Sequence, residues 1–156
     1  MFVVAASAYW QLFTIFRFWD DEGYVLISLR NFAAGGKLYS EVFSQYGPVY
    51  NLLFAFLHRF AGLPLDTTSA RWITLASWLR SVLAAALLVR RLSRSWIWAA
   101  AAGLAAFFQL RMLTHEPLHP VGLLVVLLTL GTTLAVDSVA QRKTVGGCAW
   151  AAIAGV

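Results

Sequence analysis

Charged residues and cysteine are both scarce in this sequence. Only 12% of the residues are charged, whereas 60% are hydrophobic, and the mean hydropathy is +0.71. Soluble domains are about one quarter charged and about half apolar, so this composition excludes an ordinary soluble domain and favours a protein that has lipid as its solvent. The single cysteine, Cys148, excludes a disulfide or a thiolate metal cluster built by this chain alone.

The chain also lacks the patterns of several functional classes. No Walker-type phosphate loop, no nucleophile elbow and no zinc-protease helix occurs in the sequence. The net charge of +5 comes from arginines beside apolar segments, which do not form the continuous basic face that binds nucleic acid. We therefore expect no nucleic-acid partner. The sequence indicates no cofactor, and it leaves a need for a divalent metal open.

Long apolar runs are what the sequence has instead. A membrane span needs roughly 20 mostly apolar residues, and the pattern predicts spans at 2–19, 68–91, 95–111, 118–136 and from 145 to at least 156. The first run lacks the basic leader and the cleavage site of a signal peptide. The last run is still apolar at residue 156, so we expect 1–156 to be the N-terminal part of a longer transmembrane domain. The predicted fold class is an all-α, polytopic transmembrane helical bundle.

Basic residues in the short connections predict the orientation of these spans. Arg90, Arg91 and Arg94 lie between the second and third runs, and Arg142 and Lys143 follow the fourth. Such connections are typically cytoplasmic. The long connection 20–67 and the short turn 115–119 are then expected on the outer side of the membrane.

The outer connection 20–67 carries most of the negative charge, with five of the seven acidic residues of the chain. We predict two short juxtamembrane helices in it. The first covers 23–34, lies along the interface and ends at two glycines; the second covers 49–60, begins after Pro48 and stops at 62–64. Residues 66–69 offer several N-cap candidates for the next span.

Three consecutive acids, Asp20, Asp21 and Glu22, are the first candidate site. They lie where the first span meets the outer water layer, beside the aromatic residues Trp19 and Tyr24. One interpretation is a solvated acidic cap on a loop. The other is a general base, because a carboxylate shielded by aromatic side chains and lipid can have its pKa raised towards the range needed to accept a proton.

Two arginines of the second predicted span are the next candidates. Arg71 lies at its outer end, and Arg80 is nine residues further along, roughly 13 Å deeper in a helix. Arg71 either extends to the interface or binds an anion. Arg80 has to face the bundle or water, because a lipid-facing guanidinium costs several kcal/mol. We expect a structural ion pair or a phosphate contact for it.

The turn 115–119 combines His115, Glu116 and His119. Histidine and glutamate can both bind metal ions, but the proline at 117 interrupts the helical register that would align them. The preferred interpretation is that these three are ordinary polar residues of a loop. Glu116 remains a candidate for a second acidic group that faces the same outer cavity. We predict no metal site here.

The order of these features resembles that of the GT-C membrane glycosyltransferases, the relatives of protein O-mannosyltransferases and of the aminoarabinose transferase that modifies lipid A. The matching stretches are WDDEGY at 19–24, GGKLY at 35–39, YGPVY at 46–50 and SAR at 69–71. The resemblance covers about residues 2–136. No single motif is specific, and the resemblance rests on their order, spacing and topology.

The resemblance implies a sugar transferase that uses a polyprenyl-phosphate donor at the outer face of a bacterial plasma membrane or in the lumen of the endoplasmic reticulum, with inverting chemistry. Asp21 would be the base that deprotonates the acceptor, with Glu22 orienting beside it and Asp20 as an additional acid. Arg71 would contact the donor phosphate. Substrate-binding roles are also expected for Tyr24, Tyr46, Arg80 and Glu116. The chain by itself is expected to be inactive.

Two other classes of function remain open at this point. A transporter or lipid flippase would use the acid and the arginine as a coupling pair, but such proteins usually have repeated halves and helices broken at mid-membrane. The acids here cluster at one interface, and no repeat is visible. A non-catalytic membrane scaffold, in which the acidic triplet only sets topology, is the third interpretation.

Overall fold

The computed structural model describes residues 2–15 and 22–140, and within them all regular structure is helical. The α-helices are α1 (Phe2–Thr14), α2 (Glu22–Ala33), α3 (Pro48–Ala61), α4 (Thr67–Ser93), α5 (Trp96–Gln109) and α6 (Pro120–Ala140), with a 3₁₀ helix at Leu110–Thr114. No strand occurs in the described ranges, where one isolated bridge joins Leu38 to Val42. The predicted all-α class is confirmed.

In the part of the chain that the structure describes, two helical segments are long and apolar enough to cross a membrane, Thr67–Ser93 and Trp96–Thr114. They coincide with the predicted spans 68–91 and 95–111. The helix at the first predicted span is the shorter apolar helix Phe2–Thr14, and α6 contains the short apolar stretch Pro120–Val136 at the fourth. The remainder of the first predicted span from residue 16, and the whole of the last one, lie outside the described residues.

The two predicted helices of the connection 20–67 are present as α2 and α3. After α2, the N–H of Gly36 donates to the carbonyl of Asn31 at 3.0 Å, a closure typical of helix C-termini. Gly35 has φ of +104°, which favours glycine. A Cβ on Gly36 would come within 2.7 Å of Val42 Cγ2, so the loop packs against the helix end only because this position has no side chain.

Helix α3 begins and ends as its sequence predicts. Pro48 occupies its first turn, where the missing N–H costs no hydrogen bond. Gly62 ends it in the left-handed conformation, with φ of +66°, and its N–H donates to the carbonyl of Leu57. Glycine adopts this conformation without the steric cost of a Cβ.

Contacts divide the described chain into two compact units, of which the first comprises the residues up to Ala76 together with Met112–Pro120. Its core joins residues of α2, α3, the start of α4 and the turn before α6. The buried members of this core are Val25, Leu26, Leu29, Tyr50, Phe54, Leu65, Ala70 and Leu118. This core packs α2, α3 and the turn before α6 together; Glu22 and Tyr24 lie in α2, and Glu116 lies in the turn.

The second unit comprises Ser77–Arg111 and the described residues from Val121. Trp78 of α4 is fully buried there, and its ring stacks on Phe107 of α5 at 4.8 Å between centroids. A Cβ on Gly103 would lie 3.3 Å from the Cβ of Ala86. Small residues at this point let α4 and α5 approach closely, which is the usual packing mode of helices in membranes.

Helix α4 starts at a defined N-cap. Asp66 Oδ1 accepts a hydrogen bond from the N–H of Ser69 at 2.7 Å, so the structure selects Asp66 among the cap candidates at 66–69. Hydrogen bonds from the backbone and the hydroxyl of Ser69 hold the pKa of Asp66 below its usual range. The carboxylate form is therefore the one that stabilises the helix start.

We expect Asp66→Ala to lower the Tm of the purified protein in detergent by a few degrees, because the N–H of Ser69 loses its partner. Asp66→Asn should retain most of the cap. The pKa is lowered in the folded state, so the stabilisation is complete above the unfolded value of about 3.9 and is lost as the pH falls through the lower folded value. Thermal scans followed by circular dichroism from pH 6 to pH 3 measure this. An identical acid dependence in wild type and Asp66→Asn would contradict the assignment.

Candidate functional site

A buried ion pair joins the last residue of the acidic triplet to the arginine at the head of the second predicted span. Arg71 Nη2 lies 2.8 Å from Glu22 Oε2, and Arg71 Nε lies 3.2 Å from both carboxylate oxygens. The side chain of Glu22 is 4% exposed and that of Arg71 is 9% exposed. The guanidinium thus binds the carboxylate side-on, in the forked geometry that makes arginine pairs strong.

The same arginine also binds the end of α1. Its Nη1 donates to the carbonyl of Leu12 at 2.9 Å. Leu12 lies in the last turn of α1, where carbonyls have no partner within the helix and carry the negative end of the helix dipole. Glu22 is the first residue of α2, where a negative charge is favoured. One guanidinium therefore connects the end of α1, the start of α2 and the start of α4.

Asp20 and Asp21, the other predicted catalytic acids, lie outside the described residues. Glu22 is the one member of the predicted triplet with a described position, and that position is in direct contact with Arg71. The structure therefore brings together one predicted acid and the predicted phosphate-binding arginine. In this arrangement the guanidinium is occupied by the carboxylate, and the contact of Arg71 with a donor phosphate stays a prediction.

A second group of candidate residues meets at the turn before α6. Glu116 Oε2 lies 3.2 Å from His119 Nε2. The His119 ring packs edge-on against Tyr46, with 5.2 Å between centroids and an interplanar angle of 84°. His119 and Tyr46 are both half-buried. Tyr46 and Glu116, which the sequence predicts as substrate-binding residues, thus both contact His119. The sequence predicted His119 only as a polar residue of the loop.

Leu118 fixes the shape of this turn. Its φ of +67° lies in the left-handed region, which costs energy for a residue with a side chain. Two buried hydroxyls bind its backbone: Leu118 N–H donates to Thr74 Oγ1 at 2.7 Å, and Tyr50 Oη donates to the Leu118 carbonyl at 2.6 Å. Burial, with a smaller effect of Tyr46, raises the pKa of Tyr50 well above its usual value, so the hydroxyl remains a donor.

Tyr50 and Thr74 are residues that the sequence analysis missed. A signal for them existed, because a tyrosine on an apolar helix face usually requires a hydrogen-bond partner for its hydroxyl. Their partner, the backbone of Leu118, lies 68 residues from Tyr50 and 44 residues from Thr74 along the chain. No local pattern in the sequence identifies such a partner.

The remaining predicted residues lie apart from these two groups. Tyr24 packs against the core of the first unit, and its hydroxyl donates to the carbonyl of Phe43 at 3.3 Å, which ties α2 to the loop before α3. Arg80 belongs to the second unit and is exposed, and none of the described residues forms an ion pair with it. The ion pair expected for Arg80 is therefore not found within the described part of the chain.

Metal ligands do not cluster in the described residues: no group of three or more histidine, cysteine, aspartate or glutamate side chains is arranged to hold an ion there. Glu116 and His119 form a pair, while His115 is exposed. The two groups of residues can instead act through charge and hydrogen bonding. The first holds the Glu22 carboxylate against Arg71, and the second holds the Glu116 carboxylate against the imidazole of His119.

Comparisons of the chain with protein-family models, with curated proteins and with solved structures found no match. The chemistry of the site therefore has to be argued from its own residues.

Proposed function

We propose that this chain forms part of a multi-pass membrane glycosyltransferase, which transfers a sugar from a polyprenyl-phosphate donor to an acceptor at the outer face of a bacterial plasma membrane. The observation that carries the proposal is the buried pair of Glu22 and Arg71. It supports a site in which acidic and cationic groups meet at the head of a candidate membrane span. A lipid-phosphate donor requires charges at that depth, because its phosphate lies at the membrane surface.

In the proposed reaction, the Asp21 carboxylate accepts the proton of an acceptor hydroxyl as the hydroxyl oxygen attacks the anomeric carbon of the sugar. The bond from that carbon to the phosphate oxygen breaks, and the polyprenyl phosphate leaves with the bonding electrons. Attack opposite to the leaving group inverts the configuration at the anomeric carbon. A well-placed base of this kind contributes about 10²- to 10⁴-fold in rate.

Glu22 and Arg71 have distinct roles in this proposal. Glu22 follows Asp21 directly in the sequence, and its proposed role is to orient the base through its ion pair with Arg71. Arg71 adds positive charge on the side where the phosphate leaves, and preorganised charge of this kind stabilises a developing anion. Asp20 is the alternative base. Tyr46 and Glu116 are proposed to bind the sugar or the acceptor, supported by their common contact with His119.

The test is transfer of a radiolabelled sugar from a panel of polyprenyl-phosphate donors to membranes of cells that express the full-length gene. We expect Asp21→Asn to reduce transfer by about 100-fold or more, because the amide cannot accept the proton. Glu41→Gln is the matched control. Glu41 is an exposed acid of the same connection, whose carboxylate accepts a hydrogen bond from the N–H of Lys37, and its substitution should leave transfer unchanged.

Membrane insertion of each variant is measured in parallel, so that loss of protein is not mistaken for loss of chemistry. If Asp20→Asn abolishes transfer and Asp21→Asn does not, the base is Asp20. Equal transfer in wild type and both variants, or no transfer with any donor, would contradict the enzyme and favour a transporter or a scaffold.

A further inference from the structure

The connection between α4 and α5 concentrates positively charged residues. Arg90, Arg91 and Arg94 lie within five residues, between the two candidate membrane spans. The stretch 77–111 contains five arginines and no acidic residue. The charge of this connection is therefore not neutralised by any acid within the stretch that contains it.

Arg90 is positioned by an aromatic ring and has an unsatisfied donor. Its guanidinium carbon lies 4.8 Å from the centroid of the Trp96 ring, a cation–π contact. Its Nε is buried, yet no described residue accepts a hydrogen bond from it. A buried donor without an acceptor is costly, and an arginine fork is matched by the paired oxygens of a phosphate.

Arg94 adopts a conformation that a glycine would adopt more easily. Its φ is +54°, and its N–H donates to the carbonyl of Arg90 at 2.9 Å, which closes the turn. A left-handed conformation disfavours residues with a long side chain. Such an outlier supports a hypothesis of function at this turn, and the strained residue is a second arginine, whose backbone is bonded to that of Arg90.

Large apolar side chains border the arginines. Trp96 is 69% exposed, Ile97 80% and Trp98 64%. Tryptophan favours the level of the lipid headgroups, because its ring is apolar and its N–H is polar. Arginines at the end of a candidate span, next to exposed tryptophans, therefore match the chemistry of an anionic membrane surface, in which phosphates lie directly above acyl chains.

We propose that Arg90, Arg94 and Trp96 form a binding site for the phosphodiester headgroup of an anionic phospholipid. The Arg90 and Arg94 guanidiniums bind the phosphate oxygens, while the exposed indoles contact the glycerol and the upper acyl chain. This site lies within the second unit and does not depend on the glycosyltransferase activity proposed above. Its ligand is a structural lipid of the surrounding bilayer.

Lipid selectivity tests the proposal. The purified full chain is placed in phosphatidylcholine nanodiscs that contain a small fraction of brominated phosphatidylglycerol or brominated phosphatidylcholine, and quenching of tryptophan fluorescence is compared. We expect stronger quenching by phosphatidylglycerol. Each basic residue near an anionic surface contributes about fivefold in affinity, so Arg90→Gln/Arg94→Gln should lower the preference by roughly tenfold or more.

Arg111→Gln is the matched control for the single variant Arg94→Gln. The two substitutions remove the same charge from the same unit, and we expect only Arg94→Gln to lower the preference. Arg90→Lys keeps the charge but removes the fork, and it should lower selectivity partially. Equal quenching by both lipids in the wild type, or an equal loss in Arg111→Gln, would overturn the proposal. Displacement of the lipid by soluble glycerol phosphate at similar affinity would replace it with a site for a soluble anion.

Discussion

Arg71→Ala is expected to lower the free energy of unfolding by about 3–5 kcal/mol, because it leaves the Glu22 carboxylate buried without its partner. The side chains of both residues are less than a tenth exposed, so water cannot replace the lost hydrogen bonds as it does at a surface. The variant also loses the bond from the guanidinium to the Leu12 carbonyl at the end of α1. Denaturation by SDS in mixed micelles, followed by circular dichroism, measures the effect.

Two further variants separate the charge from the general loss of a large side chain. Arg71→Met/Glu22→Leu removes both charges and replaces them with apolar groups, and it should cost less than Arg71→Ala, because neither partner is left as a buried ion. Arg80→Ala is the matched control, because Arg80 is an exposed arginine of the same helix. It should not lower stability. A cost below about 1 kcal/mol for Arg71→Ala would place the pair among ordinary surface ion pairs.

Trp78→Ala is expected to lower the free energy of unfolding by a similar amount, about 3–5 kcal/mol, by creating a large cavity between α4 and α5. The ring of Trp78 is fully buried and nearly parallel to that of Phe107, with 5° between their planes. Its Nε1–H donates to the Phe107 carbonyl at 3.2 Å, in the last turn of α5. The same SDS titration measures the loss.

Trp78→Phe tests the two contributions separately. It keeps most of the stacked area and removes the donor, so we expect a loss of about 1–3 kcal/mol from the lost hydrogen bond and the smaller ring. Trp98→Ala is the matched control, because Trp98 is 64% exposed. It should have little effect on unfolding. If Trp98→Ala were as damaging as Trp78→Ala, the packing of Trp78 would not be the source of the stability.

Much of the local structure was predictable because its causes are local. Pro48 and Gly62 bound α3 through their own backbone restrictions, and the acid at position 66 caps α4 three residues ahead of its partner. The two candidate membrane spans were predicted at 68–91 and 95–111 from apolar length alone. At the first and fourth apolar runs, the described helices are α1, Phe2–Thr14, and α6, Pro120–Ala140. The bounds of these two membrane spans stay predictions.

For the candidate site too, the sequence identified individual residues but not their contacts. The acidic triplet and Arg71 were recognisable as unusual charges in an apolar chain, but their pairing was not, since Glu22 and Arg71 are 49 residues apart. The same holds for His119, which the sequence marks only as a polar turn residue and which the structure places against Tyr46. For Arg80 the sequence predicted an ion pair or a phosphate contact; the described residues form no ion pair with it, and the phosphate contact stays a prediction.

The sequence by itself determined that this protein is helical and apolar enough for a membrane. It also determined that glycine, proline and aspartate mark the ends of particular helices. These properties depend on backbone restrictions and on the cost of polar groups in lipid, which act within a few residues. Only the tertiary structure decided that Arg71 binds both Glu22 and the Leu12 carbonyl, and that Tyr50 and Thr74 hold Leu118 in a left-handed turn. Buried polar groups must find partners wherever the packed chain provides them, and that depends on the packing of whole helices.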